Sequence, residues 1–418
     1  MTRMRLLSRV ALAAAVLSAA ACTASEPEDK TALRSEVRIG VLVPKSGKSA
    51  AAGAQALHGA ELAAALISGD EGEVRLAGVG TAGLAGVGGA KLILVAGDTK
   101  SSPEAGTSEA VRLVTQERVA GLVGAYDAAV TKAASQRTER LSIPFVNGDS
   151  PADFLTERGL DWFFRTGPTD RMLGEAFYST LQHEKVVPKR ISMLYTTDTN
   201  GETLHRVLHV LAPEANYKEH GMVKFEPGQA DLVTPIRKLR DEKKPEALFV
   251  MTSTGRDAMR VLKTMETMGY RPPEVFAFGD AFSEPQVLQA AGTAAEGLYY
   301  GTAWSREIAG RSAIAKAVME LYEERYNQPM GEVAAGSFTA VLALAQAIDN
   351  AGSTDPQRVR TALLNLDIPG RETIMPWTGV RFDASHQNAA ANGVVEQRVR
   401  DAFRVVFPDE LQQARPVG

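Results

Sequence analysis

The sequence has little cysteine and few aromatic residues, and each shortage excludes a class of protein. One Cys in 418 residues leaves no disulfide framework, no cysteine-based zinc site and no iron–sulfur cluster. Aromatic residues make up only 6% of the chain, and 46 Lys and Arg stand against 50 Asp and Glu. A formal net charge of −4 does not supply the clustered cations that nucleic-acid binding needs, so we expect no nucleic-acid partner.

The rest of the composition is typical of a globular protein with more than one domain. Hydrophobic residues make up 44% of the chain, which is ample for a core and excludes a disordered or collagen-like chain. At roughly 150 residues per domain, the length predicts two or three domains.

The N-terminal segment has the three zones of an export signal. Three arginines precede an apolar run at residues 10–21, and Cys22 ends the run. This run is too short to span a bilayer, which needs about 20 apolar residues. The segment therefore predicts a signal peptide over residues 1–21.

Residues 17–22 (LSAAAC) resemble the bacterial lipobox, in which the Cys becomes the lipidated first residue of the mature protein. We expect a lipid on Cys22, a tether over residues 22–36, and anchoring to the outer face of the bacterial cell membrane. Ala19 stands where the lipobox usually has Leu. A plain signal peptide, cleaved just before Ala21, is therefore the alternative.

Short apolar runs alternate with segments of helical periodicity along the mature chain. The first group of strands is predicted at residues 37–43, 91–97, 119–124 and 143–146, with helices at 54–67, 103–116 and 128–141. The second group is predicted at residues 190–195, 222–225, 247–251, 275–278 and 298–300, and a block of helices follows at 311–326, 337–350 and 356–364. Such alternation predicts parallel α/β sheets that bind ligands beyond the carboxyl ends of their strands.

Three motifs resemble functional sites, and each lacks a part that its chemistry requires. Residues 78–83 match G-x-G-x-x-G, but more glycines follow where a helix is needed, so we predict a flexible Gly-rich surface insertion at residues 69–89. The P-loop-like residues 46–49 (SGKS) lack a Gly five positions before Gly47. His205 and His209 share one helix face, but no third ligand is spaced nearby. We therefore expect no metal, no cofactor and no catalytic residue.

Several segments, in order and spacing, resemble one family. They are residues 41–47 (VLVPKSG), 88–92 (GGAKL) leading to Asp98, 113–124 (LVTQERVAGLVG), 143–146 (IPFV), 163–170 (FFRTGPTD) and the tail residues 379–383 (GVRFD), 387–388 (QN) and 406–408 (VFP). Together they resemble the leucine/isoleucine/valine-binding family of type I periplasmic binding proteins over residues 37–408.

That resemblance implies an α/β fold of two Rossmann-like lobes with parallel central sheets, joined by three hinge crossovers. Lobe 1 would comprise residues 37–166 and 304–377, and lobe 2 residues 167–303 and 378–418. The implied function is an extracytoplasmic receptor that closes on a branched-chain or other amino acid, or a similar small amide-like ligand. The receptor would deliver this ligand to an ABC permease in the membrane, and we expect it to be a monomer.

The resemblance also implies which positions hold the ligand. In the family, small hydroxyls and N–H groups at helix starts hold the carboxylate of an amino acid, and an acid of the second lobe holds its ammonium. The corresponding positions here are Ser46, Tyr126, Asp127, Asn147, Ser150, Asn200, Thr252, Thr254, Asp280 and Phe282. Asp280 is the best-placed acid because it follows a predicted strand after a single Gly.

Several of these positions have a structural alternative. Asp127 is equally well explained as a helix N-cap, and Asp149 as a turn residue; both would place negative charge near a ligand carboxylate. Asp280 has the same turn alternative, and Tyr126 and Phe282 could simply pack.

Two other functions also stay open. A small-amide sensor of the same fold is disfavoured by the export signal, and an exported α/β enzyme is disfavoured by the missing catalytic motif.

Overall fold

In a computed structural model of the protein, the described residues are 35–412, apart from 72, 73, 75, 77–82, 185, 186, 283, 284 and 401. The side chains of residues 280, 285 and 286 also lie outside this description. The predicted signal peptide and lipobox therefore lie outside the described residues, as does most of the G-x-G-x-x-G match.

The first sheet is built from residues 36–165. Its elements are β1 (Glu36–Val43), α1 (Ala50–Ser68), β2 (Lys91–Asp98), α2 (Pro103–Thr115), β3 (Leu122–Gly124), α3 (Ala128–Arg140), β4 (Phe145–Asn147) and β5 (Phe163–Arg165). The strands pair in the order β2-β1-β3-β4-β5, and every pair is parallel. Helices cover both faces of such a sheet, which explains why its strands are continuous apolar runs rather than alternating ones.

The next segment repeats this pattern. Its elements are α4 (Asp170–His183), β6 (Ile191–Thr196), α5 (Thr199–Glu214), β7 (Glu219–Phe225), α6 (Val233–Lys238), β8 (Ala247–Met251), α7 (Gly255–Thr267), β9 (Glu274–Phe278), α8 (Pro285–Ala291) and β10 (Tyr299–Thr302). Side-chain oxygens cap the starts of three helices in this segment. Thr169 caps α4, Asp198 caps α5 and Thr254 caps α7.

The last segment completes the second sheet and contributes to the cores that pack on both sheets. Its elements are α9 (Arg306–Ala309), α10 (Ala313–Tyr326), α11 (Glu332–Ala351), α12 (Pro356–Leu364), β11 (Ile368–Pro369), β12 (Gly379–Val380), β13 (Val394–Val399) and β14 (Ala402–Phe407). The second sheet has the order β14-β13-β10-β9-β8-β6-β7. Strands β6 to β10 are parallel, whereas β13 and β14 add as an antiparallel edge. The fold is therefore two α/β lobes, with the C-terminal tail returning to the second sheet.

Helix α11 is the central helix of the first lobe. It is long and apolar enough to cross a membrane, but 89% of its apolar stretch is buried within the protein. It packs closely on α1, because a Cβ at Gly59 would lie 2.1 Å from the Ala334 carbonyl oxygen. These observations identify α11 as a core helix.

The described part of the Gly-rich insertion packs against α11. Leu84 is fully buried, and the Gly86 N–H donates to the Asp349 carboxylate over 2.7 Å. Leu84 and Ala90 also form an antiparallel bridge. The predicted insertion is therefore anchored to the core at Leu84 and Gly86, although Ala85, Gly86 and Gly88 are exposed as a surface segment would be.

Candidate ligand-binding site

A cavity of about 110 Å³ lies between the two lobes. Its first-lobe wall includes the loops that follow β3 and β4, and its second-lobe wall includes the loops that follow β8 and β9 and the start of α5. Helices α3 and α5, which begin on opposite walls, contact each other. Because an apolar cavity of about 150 Å³ holds a molecule the size of benzene, this cavity suits a similarly small ligand.

Four of the residues predicted from the sequence line this cavity. Tyr126 and Ser150 belong to the first lobe, and Asn200 and Thr252 to the second. Asn200 is the second residue of α5, and Ala128, which also lines the cavity, is the first residue of α3. Backbone N–H groups in the first turn of a helix have no partner within that helix, and the helix dipole favours an anion there. Both walls therefore offer a place for a ligand carboxylate.

The Ser150 side chain has a buried hydroxyl for which the described residues supply no hydrogen-bond partner. Its backbone N–H donates to the Asn147 side-chain oxygen over 3.1 Å, which fixes the loop that carries it. A buried polar group without a partner costs about 1–3 kcal/mol. A ligand that bonds to this hydroxyl would remove that cost.

Asn147 does not line the cavity, but its amide holds the first-lobe wall together. The amide nitrogen donates to the carbonyl oxygens of Gly124 and Ala125, over 2.9 and 3.0 Å. Its side-chain oxygen accepts from the Ser150 N–H. Asn147 therefore ties the loop after β3 to the loop after β4.

Ser46 and Asp127 are not in the described lining. Ser46 is exposed, and its hydroxyl donates to the Asp98 carboxylate over 2.8 Å. Asp127 occupies the N-cap position of α3, but its side chain accepts from the Ser49 hydroxyl over 3.0 Å instead of from a helix N–H. Burial raises the pKa of Asp127, against the lowering effects of Ser49 and Lys48. Ligand contact by Ser46 and by Asp127 stays a prediction.

Thr254 and Phe282 have structural partners in the second lobe and are also outside the described lining. The Thr254 hydroxyl accepts from the Asp257 N–H over 3.1 Å at the start of α7. Phe282 is fully buried in the second-lobe core, as the packing alternative describes. The Asp280 side chain lies outside the described residues, so its contact with a ligand ammonium stays a prediction.

The cavity is rich in carboxylates. Asp149, Asp170 and Glu332 all line it, and no Lys or Arg is found among its described lining residues. Burial, together with the Asp153 carboxylate, raises the pKa of Asp170, whereas the Arg165 guanidinium lowers it. Glu332 accepts from the Thr302 hydroxyl over 2.5 Å. An opposite charge is favoured near such groups, so this lining favours a ligand that carries a cationic group.

Asp170 and Glu332 were not identified as site residues from the sequence. Asp170 ends the family-like segment 163–170 and is the first residue of α4, a position that could have marked it as a site residue. Glu332 is the first residue of α11, and the apolar periodicity predicts a helix only from residue 337. Residues 332–336 lie before the predicted helix start, and their sequence has no period that would show which side chain faces the cavity.

The chain connections beside the cavity are held by a buried polar network. Arg165, at the end of β5, is fully buried and donates to the Gln387 side chain over 2.6 Å. Gln387 in turn donates to the Gly167 carbonyl oxygen over 2.8 Å, and the Asn388 amide donates to the Thr166 carbonyl oxygen over 3.0 Å. The first connection between the lobes is thereby bonded to the segment that returns the tail to the second sheet.

Comparison with known proteins agrees with this architecture. The Leu/Ile/Val-binding protein homolog 7 of Brucella abortus (strain 2308) is 26% identical over 412 residues, which cover 96% of this chain and 96% of that protein. Two solved structures share the fold with a TM-score of 0.73 each. The leucine binding protein LivK from Thermotoga maritima is 21% identical and covers 90% of this chain and 100% of its own. LivJ from Streptococcus pneumoniae, in complex with isoleucine, is 22% identical, and the match covers 89% of this chain and 100% of LivJ.

A family model described as periplasmic binding protein matches residues 36–400, which is most of the chain. This span contains the first sheet, all of the second sheet except β14, and every described residue of the cavity lining. Membership of this family implies an extracytoplasmic location. The two lobes, the cavity between them and the family match together show that the chain belongs to the periplasmic binding protein family.

Proposed function

We propose that this protein is a solute receptor of an ABC importer that binds a small amino acid, or a similar amide-like molecule, between its lobes. The observation that carries the proposal is the cavity at the junction of the two walls, which combines helix starts with carboxylates. A zwitterionic ligand matches this combination, because helix starts favour its carboxylate and acids favour its ammonium. The isoleucine in the Streptococcus pneumoniae relative supports an amino acid of this size.

The proposed orientation follows from where each group lies. The carboxylate would face Ser150 and the starts of α3 and α5, whereas the ammonium would face Asp149, Asp170 and Glu332. We keep Asp280 as a further partner for the ammonium. Binding then brings the two walls together without any bond being made or broken, which is the action of a receptor rather than of an enzyme.

We propose that the lobes comprise residues 37–166 with 304–377, and residues 167–303 with 378–418. Side chains of Val380, Phe382 and Ala391 pack in the first core, and β13 starts the return to the second sheet at Val394. These contacts support a third crossover between β12 and β13, which would move residues 378–393 from the second lobe to the first.

A thermal-shift screen of the mature protein tests the proposed ligand class. We expect leucine, isoleucine, valine or a related amino acid to raise Tm, because a ligand that binds only the folded state stabilises it. Isothermal titration would then give the affinity and a stoichiometry of one. If amino acids and small amides all leave Tm unchanged, the proposed ligand class is wrong.

Ser150→Ala is expected to weaken binding of the amino acid found in this screen by roughly tenfold, the loss of about one hydrogen bond. Protein stability should hold, since no described residue uses the hydroxyl. Ser337→Ala is a matched control, because Ser337 in α11 also has a buried hydroxyl without a described partner but lies outside the described lining. Titration calorimetry on both variants measures the difference. Equal affinities in the two variants would remove Ser150 from the site.

We also propose that Cys22 carries the lipid anchor. The support is its position directly after the apolar run of the export signal. Cys22→Ala is expected to move the protein from the membrane fraction to the soluble or secreted fraction, as judged by fractionation and immunoblotting. Mass spectrometry of the N-terminus would show whether the signal peptide is still attached. A processed Cys22→Ala variant that stays in the membrane fraction would contradict the anchor.

A further inference from the structure

One group of metal-ligating side chains lies outside the cavity, where α5 packs beside β7. His205 and His209 lie one turn apart on α5, and Glu219 is the first residue of β7, the edge strand of the second sheet. None of the three is in the described cavity lining. The sequence shows the two histidines but no third ligand at a recognisable spacing; the fold supplies the third ligand.

The geometry of these groups is close to that of a coordination shell. One ligand atom from each side chain lies within 4.8 Å of the other two. His209 Nδ1 is 2.7 Å from one Glu219 oxygen, and His205 Nε2 is 3.7 Å from the other. Tetrahedral Zn²⁺ with bonds of about 2.0–2.2 Å places its ligand atoms roughly 3.3–3.6 Å apart. The two observed distances lie on either side of that separation, and side-chain rotation must close the 4.8 Å span of the three ligand atoms before they share one ion.

His205 provides a second, independent observation. Its side chain is only 15% exposed, and its ring is stacked on Tyr195 with the ring centroids 4.8 Å apart. Nε2 is buried and has no hydrogen-bond partner among the described residues, since 3.7 Å to Glu219 is too long for a hydrogen bond. A metal ion at this point would satisfy the ring nitrogen that the packing orients.

Glu219 supplies a negative charge to the proposed site, and His209 supplies a route to it from solvent. The Glu219 carboxylate brings a negative charge to the two imidazoles, and its side chain is only 11% exposed. The His209 side chain is 62% exposed, which gives an ion from solvent a way to reach the three side chains. A site with three protein ligands leaves a fourth position for water.

We propose that His205, His209 and Glu219 bind a divalent transition metal ion, for which Zn²⁺ is the best match. Two imidazoles and one carboxylate are ligands that Zn²⁺ accepts with tetrahedral geometry, whereas Mg²⁺ and Ca²⁺ prefer oxygen ligands. The bound ion would join α5 to the edge strand of the sheet. This site is independent of the solute cavity, so its test does not depend on the proposed function.

The test uses the mature protein without a histidine tag, treated with a chelator and then titrated with Zn²⁺ by calorimetry. We expect one equivalent to bind, and His209→Ala and Glu219→Gln each to weaken binding by roughly 100-fold or more, because each removes one of three metal bonds. His220→Ala is the matched control, since His220 is exposed and adjacent in sequence but outside the cluster. It should bind Zn²⁺ like the unchanged protein.

Co²⁺ gives a second measurement on the same proteins. Its visible spectrum should show the strong absorption of a four-coordinate site in the unchanged protein and in His220→Ala, and lose it in His209→Ala. His209 is exposed, so this variant should fold, and circular dichroism would verify that. If the unchanged protein takes up no stoichiometric Zn²⁺, or if His209→Ala binds it equally well, then Glu219 is only an ion-pair partner of the two histidines and the proposed site is wrong.

Discussion

Replacing Arg165 by methionine is expected to lower the free energy of unfolding by about 3–5 kcal/mol, the cost of removing one partner from a buried charged network. The Arg165 side chain is fully buried. Its guanidinium donates to the carbonyl oxygens of Ser150 and Ala152 over 3.2 and 2.7 Å, and to the Thr156 hydroxyl over 2.8 Å. A fourth bond reaches Gln387 on the returning segment. Methionine fills much of the volume but leaves these acceptors without a donor.

Removing the Arg165 charge should also change the pKa values of the carboxylates beside it. Arg165 is the cation that lowers the pKa of both Asp153 and Asp170, whose burial raises it. Without the guanidinium, these carboxylates would be harder to ionise, which destabilises the folded protein further at neutral pH.

Urea unfolding at pH 7, followed by circular dichroism, measures the effect of Arg165→Met. Arg371→Met is the matched control, because the Arg371 side chain is 79% exposed and its ion pair is with the adjacent Glu372. Exposed ion pairs contribute little to stability, so this variant should unfold close to the unchanged protein. If both variants have the same urea midpoint, Arg165 does not hold the crossovers together.

Most strands and helices were predictable because their signals are local. The strand predicted at residues 247–251 is observed as Ala247–Met251, and the helix predicted at 103–116 is observed as Pro103–Thr115. Both are bounded by polar or turn residues. The strand is one continuous buried apolar run, and the helix buries Gly106, Ala110 and Leu113 at helical spacing. The two parallel sheets then follow from the alternation of strands and helices, together with the family resemblance.

Elements defined by distant partners were not predictable in this way. Strand β5 has only three residues, and its end is bonded to residues more than 200 positions later, such as Gln387. A segment this short has no measurable period. Helix α8 was not predicted either. Its seven residues, from Pro285 to the residue before Gly292, are too few to show a helical period.

The site was predictable by region and only partly by residue. The loops after β3, β4, β8 and β9 do form the walls, as expected for ligand binding at the carboxyl ends of parallel strands. Within those loops, the sequence does not show which side chain turns toward the cavity. Thr252 lines it, whereas Thr254, two residues later, caps α7. The direction of each side chain is set by the start of the following helix.

Glu396→Gln is expected to stabilise the protein at pH 8 by up to about 3 kcal/mol, the free energy that corresponds to the raised pKa of this residue. Glu396 in β13 is 1% exposed and accepts a hydrogen bond from the Ser305 hydroxyl. Burial raises the pKa of Glu396 to about 7 from the ordinary value of 4.5; Ser305 and Arg404 oppose this shift, and Glu307 adds to it. Glutamine keeps the shape and has no charge to bury.

The sign of the pH dependence follows from proton uptake. Between about pH 4.5 and pH 7, the folded protein holds a proton on Glu396 that the unfolded chain has released. The contribution of Glu396 to stability is therefore complete below this range, is lost as the pH rises through it, and stays lost above pH 7. The glutamine variant lacks this loss, so it should match the unchanged protein near pH 4.5 and exceed it at pH 8.

Urea unfolding of the unchanged protein and of Glu396→Gln at a series of pH values from 4.5 to 8 measures this difference. Glu320→Gln is the control, because the Glu320 side chain is 60% exposed and its Lys316 partner is 3.8 Å away. Its curve should run parallel to that of the unchanged protein at every pH. The glutamine variant at position 396 should instead gain on both as the pH rises, with the whole gain acquired by about pH 7. A constant difference across the series would mean that Glu396 is charged in the folded protein throughout, and that the buried Ser305 contact, rather than the proton, neutralises the cost of its burial.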